Sequence, residues 1–400
     1  MTPVRWKDIR KRGEGIMAKK KASKAKKTGS KYKGKRIFPA PIRGGDRVDG
    51  LVDGHFNAFN AGRLREICEL LATKILCDEN VTVGLSVSGA LTPAGLGMSA
   101  VVPLMKAGFV DWIVSTGANL YHDAHFGLDY CLHRGSLYFD DTELKKEKVV
   151  RIFDITMDYQ MLRDTDEFFR RILVAPEFRG SMGTAELHYR IGKYLHEREK
   201  TLCVPGASIL AAGYELGIPI YTSSPGDSSI GLNIAELEMM TTPSVRVNVS
   251  LDVNETAAIV LDAKRGGGRS AVLILGGGSP KNFILQTEPQ IQDILGIEEK
   301  GHDYFMQLTD ARPDTGGLSG ATPSEAVTWG KVDPNMLPDA IVCYTDVSIA
   351  LPIITSYVLS KVKKRGQKRL FDRRAQMAGR LRDEFLEARR KRVGKTGKKK

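Results

Sequence analysis

The chain is 400 residues long, 42% hydrophobic and 7% aromatic, enough apolar material for one large globular core. It carries no run of about 18 apolar residues and no apolar segment behind its charged start, which excludes a spanning helix and a secretory signal and makes a cytoplasmic protein the expectation. The formal net charge of +13 is uneven: residues 1–36 hold 15 basic and 2 acidic side chains, residues 361–400 hold 18 and 4, and the body between them is acidic, which suits a cationic substrate, although ordinary solubility explains it equally well.

Residues 1–36 are rich in Lys, Ser and Gly without apolar periodicity, and they read as a disordered basic tail able to contact nucleic acid non-specifically. Met17 opens the lysine run and is an alternative start, which would make Met1–Ile16 upstream sequence. Order is expected from Ile37-Phe38-Pro39. Buried strands are predicted at Val81–Leu85, Trp112–Ser115, Pro219–Thr222, Ala271–Leu275 and Ala340–Tyr344, with helices at Thr92–Ala107, Ala185–Glu199 and Asn254–Lys264. Short apolar runs alternating with helices indicate an α/β body over 37–365, with a parallel sheet covered on both faces. Residues 366–394 place Leu370, Phe371, Met377, Leu381, Phe385 and Leu386 at helical spacing. They predict an amphipathic helix lying on the body or on a neighbouring subunit, with a basic tail to 400. Cys68, Cys77, Cys131, Cys203 and Cys343 form no CxxC pair, so reduced thiols are expected and a metal site is not.

In open parallel sheets ligands gather outside the carboxyl ends of the strands, and five post-strand turns are informative. Ser86–Gly95 contains small residues, Ser88, Gly89 and Ala90 ahead of Leu91 and Thr92. They either bring backbone N–H groups to a phosphate or pack a tight turn; no GxGxxG is present. In Ser115–Asp123, His122 beside Asp123 is a candidate for moving protons or a structural histidine. In Ser223–Gly231, Asp227 either accepts from ribose hydroxyls or caps the next helix. Gly276-Gly277-Gly278 implies a close approach to the backbone, and the following Lys281 either pairs a phosphate or is solvated. In Thr322–Lys331, Thr322 reads as N-cap, Pro323 as the first helical residue and Glu325 as a capping-box partner or a site acid. Gly330 would end that helix and set Lys331 beside Trp329, where lost hydration frees its amine as a nucleophile.

The Pro323-Ser-Glu-Ala-Val-Thr-Trp-Gly-Lys331 string resembles the signature around the active-site lysine of deoxyhypusine synthases. The GGGxxK turn (276–281), the Ser-Thr-Gly-Ala turn (115–118), Asp227 and Tyr-Thr-Asp (344–346) follow in family order, and the resemblance covers roughly residues 37–365. It implies a Rossmann-like, doubly wound sheet and a homotetramer with active sites at subunit interfaces. It implies Lys331 as the catalytic lysine, with Glu325, Trp329, Gly277, Asn282 and Gly316 around the amine. It also implies NAD contacts from Ser88, Gly89, Ala90, Leu91, Thr92, Thr116, Gly117, Ala118, Asp227 and Asp346.

Four departures follow from the same resemblance. Asn282 stands where the family has a histidine, Leu232 and Leu318 where it has aspartates that grip the polyamine, and Tyr121-His122 where it has two glutamates. The chain is thus similar to the divergent, bacterial-type deoxyhypusine synthase-like branch. The implied activity is NAD-dependent transfer of a 4-aminobutyl group from a spermidine-like polyamine, through a Lys331 imine, to an amine. The acceptor is a protein lysine, as in hypusine formation, or a free amine such as putrescine, giving homospermidine. An amine dehydrogenase, an inactive partner subunit and a nucleic-acid-binding protein are the competing readings.

Overall fold

The computed structural model of the chain describes Gly34, residues 36–243 and residues 245–396. The expected tail at 1–36 lies outside the described residues, except for Gly34 and Arg36. Two compact units are distinguished, Met1–Pro41 and Ile42–Lys400. In the first, residues 36–41 form neither helix nor strand, and the Arg36 guanidinium sits 5.9 Å from the Phe38 ring centre. The second holds all the helices and strands described below.

Its core is a six-stranded sheet: β1 (Val81–Val87), β2 (Trp112–Ser115), β3 (Ile220–Thr222), β4 (Arg269–Leu275), β5 (Tyr304–Thr309) and β6 (Ala340–Tyr344). All pairings are parallel, in the order β3-β2-β1-β4-β5-β6. The chain steps outward from β1 to β3, then returns to lay β4 on the other side of β1. The winding therefore reverses between β1 and β4, the doubly wound arrangement whose crevice takes ligands at that point. Val87 is level with both Ser115 and Leu275, so the turns after β1, β2 and β4 leave the sheet at one height.

Alternation explains why these runs are strands. Val81, Val83, Leu85, Val87, Ala271, Leu273 and Leu275 enter one apolar cluster, and Trp112, Val114, Val272 and Ile274 enter the other. Both faces are covered, so every residue of β1 and β5 is buried. β5, with the sequence YFMQLT, is the strand that the sequence reading missed; Asp310 follows it, not a glycine turn. Two small sheets also escaped that reading. One is antiparallel (His133–Arg134, Val149–Ile152, Ile155–Asp158) and the other is a parallel pair (Gly180–Met182 with Val245–Val247). The helix expected at Thr92–Ala107 is broken into a 3-10 turn, a π turn and Val102–Lys106.

Residues 366–396 belong to the same compact unit as the sheet. Helix Arg374–Thr396 packs on helix Val249–Arg265 of the same chain. Leu370, Met377 and Leu381 are buried there, and the Phe371 ring stacks on Tyr189 with centroids 3.5 Å apart. The Arg374 guanidinium reaches Glu186 and, at 3.3 Å, Glu255. Just upstream, buried Arg365 donates to the carbonyls of Gly108 (2.8 Å) and Val81 (3.1 Å) and pairs with Asp111 at 3.2 Å. Among the described residues no helix is long and apolar enough to cross a membrane.

Candidate active site at the winding reversal of the sheet

The turn after β1 is shaped from β2. Asn119, fully buried in helix Gly117–Gly127, accepts at Oδ1 from Leu91 N–H (2.7 Å) and Thr92 N–H (3.2 Å). Its amide nitrogen donates to the carbonyls of Ser88 (3.3 Å) and Gly89 (3.1 Å). Thr116 caps the same helix and donates its hydroxyl hydrogen to Gly89 O at 2.7 Å. Ser88, Gly89, Ala90, Leu91, Thr92 and Thr116 are thus one assembly, with Gly89 and Ala90 exposed at its tip. Asn119, which carries no signal of its own in the sequence, is the residue that organises it. Gly117 and the cap Ser228 of helix Ser229–Met239 are packed together: a side chain at 117 would fall 2.3 Å from Ser228 Cβ. Ala118 follows on the same first turn, so this contact joins the turn after β2 to the Asp227 turn after β3.

The turn after β4 closes onto the one after β1. Gly277 N–H donates to the Ser88 hydroxyl at 3.2 Å, and that hydroxyl donates to Gly277 O. A Cβ on Gly277 would lie 2.5 Å from Ser319, so the close approach inferred from the three glycines comes from the Leu318–Gly320 turn of the chain itself. Lys281 is neither solvated nor placed as a free phosphate ligand. It is buried, and its ammonium donates to Gln307 Oε1 (2.9 Å), Ser319 O (3.1 Å) and Ala321 O (2.7 Å). Burial pushes its pKa down to about 8, Glu325 acting against this and Lys331 with it.

Lys331 follows a different helix, Pro323–Thr328, and meets the Lys281 helix at the neighbouring residue Asn282. Its Nζ donates to Asn282 Oδ1 at 3.0 Å and sits 5.7 Å from the Trp329 ring centre. The side chain is half-buried, and this desolvation lowers its pKa below the ordinary lysine value, with the Glu325 carboxylate pulling the other way. Local sequence dictates the placement. Thr322 accepts from Glu325 N–H (3.2 Å), Pro323 starts the Pro323–Thr328 helix, and Gly330 ends it in the left-handed region at φ +66. The Glu325 carboxylate is exposed, so half of the expected capping box is formed and the acid faces the two lysines by charge. Trp329 is 63% exposed, so within one chain the indole flanks the amine without sealing it from water. Gly316 is exposed on the neighbouring loop.

Two other expected residues, His122 and Asp346, stand apart from this assembly. His122 and Asp123, consecutive on a helix, face different ways. Asp123 accepts from Ile209 N–H, and burial holds its carboxyl well above the usual carboxylate range. His122 Nδ1 meets His125 Nε2 at 3.2 Å, and His125 Nδ1 meets Thr165 Oγ1 at 2.9 Å. Burial lowers the pKa of both rings, that of His125 to about 3. Adjacent in sequence, His122 and Asp123 thus have separate partners. Asp227 is exposed after β3, while Asp346 caps helix Val347–Lys361 after β6, accepting from Ser348 N–H at 2.6 Å. These two aspartates occupy opposite edges of the sheet, about 24 Å apart at about 4.8 Å per strand.

A family model described as deoxyhypusine synthase matches residues 54–358. A deoxyhypusine synthase-like protein of Nostoc punctiforme is 56% identical over 359 residues, covering 90% of this chain and 92% of the relative. A probable deoxyhypusine synthase of Methanosarcina thermophila is 33% identical over 337 residues, covering 82% and 98%. A crystal structure assigned to deoxyhypusine synthase from Entamoeba histolytica superposes with a TM-score of 0.52 at 13% identity, covering 81% of this chain and 97% of that one, a likeness of fold. With its winding reversal, its lysine beside Trp329 and this match over most of its length, the chain belongs to the deoxyhypusine synthase family and is a transferase of that family's aminobutyl-transfer type.

Proposed function

We propose that the protein moves a 4-aminobutyl group from a spermidine-like polyamine to an amine acceptor, with Lys331 as the covalent carrier and NAD as cofactor. The observation that carries this reading is the half-buried Lys331 amine, held by Asn282 on the helix that starts at the sheet's winding reversal. The crevice suits a dinucleotide. Small-residue turns after β1 and β4 meet at Ser88 and Gly277, Asp227 stands exposed after β3, and the adjoining Ser223 hydroxyl is buried without a partner. When bound, NAD supplies a hydride acceptor for the carbon beside the donor's secondary amine and later returns the hydride.

Lys331 in its free-base form attacks that activated carbon. Its new C–N bond forms as the bond to the diamine fragment breaks, and the fragment leaves with the proton Lys331 gives up. An acceptor amine then displaces Lys331 by the reverse exchange, and the lysine regains its proton. Glu325 offers charge to the cationic amine, and the Trp329 face offers a cation–π contact. Helix Ser229–Met239 exposes Leu232 and Met239, its cap Met240 is exposed as well, and so are Leu318 and Trp329; a second copy in a homotetramer would cover such surface.

A free amine as acceptor is favoured by Leu232 and Leu318, 65% and 53% exposed, at positions where the family resemblance gives acids. Incubating the protein with NAD, spermidine and either putrescine or a lysine-bearing protein acceptor, then weighing the products by mass spectrometry, tests both forms. Release of NADH without amine exchange would make it a dehydrogenase instead.

A further inference from the structure

We propose that Gln292 is a positioning residue for Lys331, acting through the carbonyl of Gly330; this rests on the reading of Lys331 as the carrier. Gln292 Nε2 donates to Gly330 O at 2.8 Å and to Glu288 Oε2 at 3.1 Å. The contact is close enough that a Cβ at 330 would lie 2.7 Å from Gln292 Oε1 and would push the amide aside, and the left-handed φ of +66 at Gly330 already favours glycine. The other restraints on this segment are main-chain bonds. Lys331 N–H donates to Ala326 O (3.0 Å), His302 N–H donates to Lys331 O (3.0 Å), and Asp333 N–H donates to His302 O (3.1 Å). Gln292 is therefore the side chain that fixes the peptide bond directly before the lysine.

The amide is itself anchored in the interior. Glu288, one helical turn earlier and fully buried, pairs with Lys264 Nζ at 3.3 Å, and Lys264 also reaches Glu299 at 3.1 Å and Asp303 at 3.8 Å. Burial raises the Glu288 carboxyl to about 7, Lys264 opposing this. The neighbouring His302 ring is buried and pushed down to about 3, so it is neutral at pH 7. A largely buried cluster of titratable side chains thus ends in one amide that donates to Gly330 O.

The position of that peptide bears on the lysine's proton affinity. From the outer side the charges facing Lys331 are the Glu325 carboxylate and the Lys281 ammonium; from behind Gln292 they are Glu288, Lys264, Glu299 and Asp303. Letting the left-handed Gly330 peptide swing outward would hydrate the amine, favour its charged form and carry it off Asn282.

Lys331 acetylation by trace acetic anhydride, followed against pH by mass spectrometry of the full chain, reads this directly and needs no substrate. Exposed Lys146 serves as the internal reference. In Gln292→Met and in Gln292→Asn, which is too short to span Glu288 and Gly330, the Lys331 midpoint should rise. Labelling at pH 7 should fall about tenfold for a rise of about one unit. The inference is overturned if either variant, folded by circular dichroism, keeps the wild-type midpoint and rate. A wild-type protein that forms no borohydride adduct at Lys331 would remove the carrier reading separately, since the acetylation profile does not depend on it.

Discussion

Lys331 Nζ and Asn282 Oδ1 lie 3.0 Å apart, a neutral acceptor meeting the amine of the candidate nucleophile. An amide oxygen accepts from an amine or an ammonium alike, so it orients the lysine without strongly holding its proton. Burial is then free to lower the lysine's pKa, which is what a nucleophile near neutral pH requires.

Replacing Lys331 by alanine should abolish aminobutyl transfer and leave dinucleotide affinity within about twofold, because the amine acts beside the cofactor crevice and not in it. Borohydride added during turnover should trap one butylamine unit on Lys331. None is expected on Lys281, whose ammonium is enclosed by three oxygen acceptors. Peptide mapping that finds the adduct elsewhere would overturn the assignment.

Asn282→Asp sets a carboxylate against the same amine. An adjacent negative charge favours the protonated lysine, so its pKa rises and the free base appears only at higher pH. The pH profile of adduct formation should move up by about one unit, with a rate at pH 7 about tenfold lower. An unchanged profile would mean that the Asn282 contact is not kept during reaction.

The pair Leu232→Asp and Leu318→Asp should lower KM for spermidine, by about tenfold at most because exposed charges are screened. Both leucines are well exposed, so folding should tolerate the change. Steady-state kinetics with spermidine and with putrescine would decide it, and equal constants in wild type and variant would show that neither position faces the amine.

Asn119→Ala removes the acceptor for two N–H groups and the donor for two carbonyls inside a buried turn. Stability should drop by about 2–4 kcal/mol, and dinucleotide affinity should fall with it. Urea unfolding and a binding titration measure the two effects. Loss of neither would mean the turn after β1 holds its shape unaided.

Asp252 is buried, accepts from Thr184 N–H at 2.7 Å and keeps one oxygen without a partner. Burial raises its pKa to about 7. The folded carboxyl then binds a proton that the unfolded one releases above about pH 4, so stability falls as pH rises from about 4 to about 7. Asp252→Asn mimics the protonated form. It should match wild type near pH 4 and exceed it by about 1–3 kcal/mol at pH 8, read from thermal unfolding at both values.

Apolar runs bounded by small-residue turns identified five of the six sheet strands, because a strand buried on both faces needs nothing beyond its own side chains to be recognised. The Thr322-Pro323 start, the Gly330 stop and the Trp329–Lys331 spacing were equally legible, since a short helix and its ends are set by neighbouring residues. What needed the folded chain was every relationship between distant segments. Lys281 reads as a phosphate partner or a solvated lysine until Gln307, Ser319 and Ala321 enclose it, and His122 beside Asp123 reads as a proton carrier or a structural histidine until the fold sets it against His125 and Asp123 against Ile209. The triple glycine announced a close approach but not that Ser319 makes it. Asn119 and Gln292 gave no local signal, because an amide takes its role from the partners brought to it. Residues near in sequence determined the elements and the lysine motif; only packing decided which polar groups share a space, and proton affinity follows from that shared space.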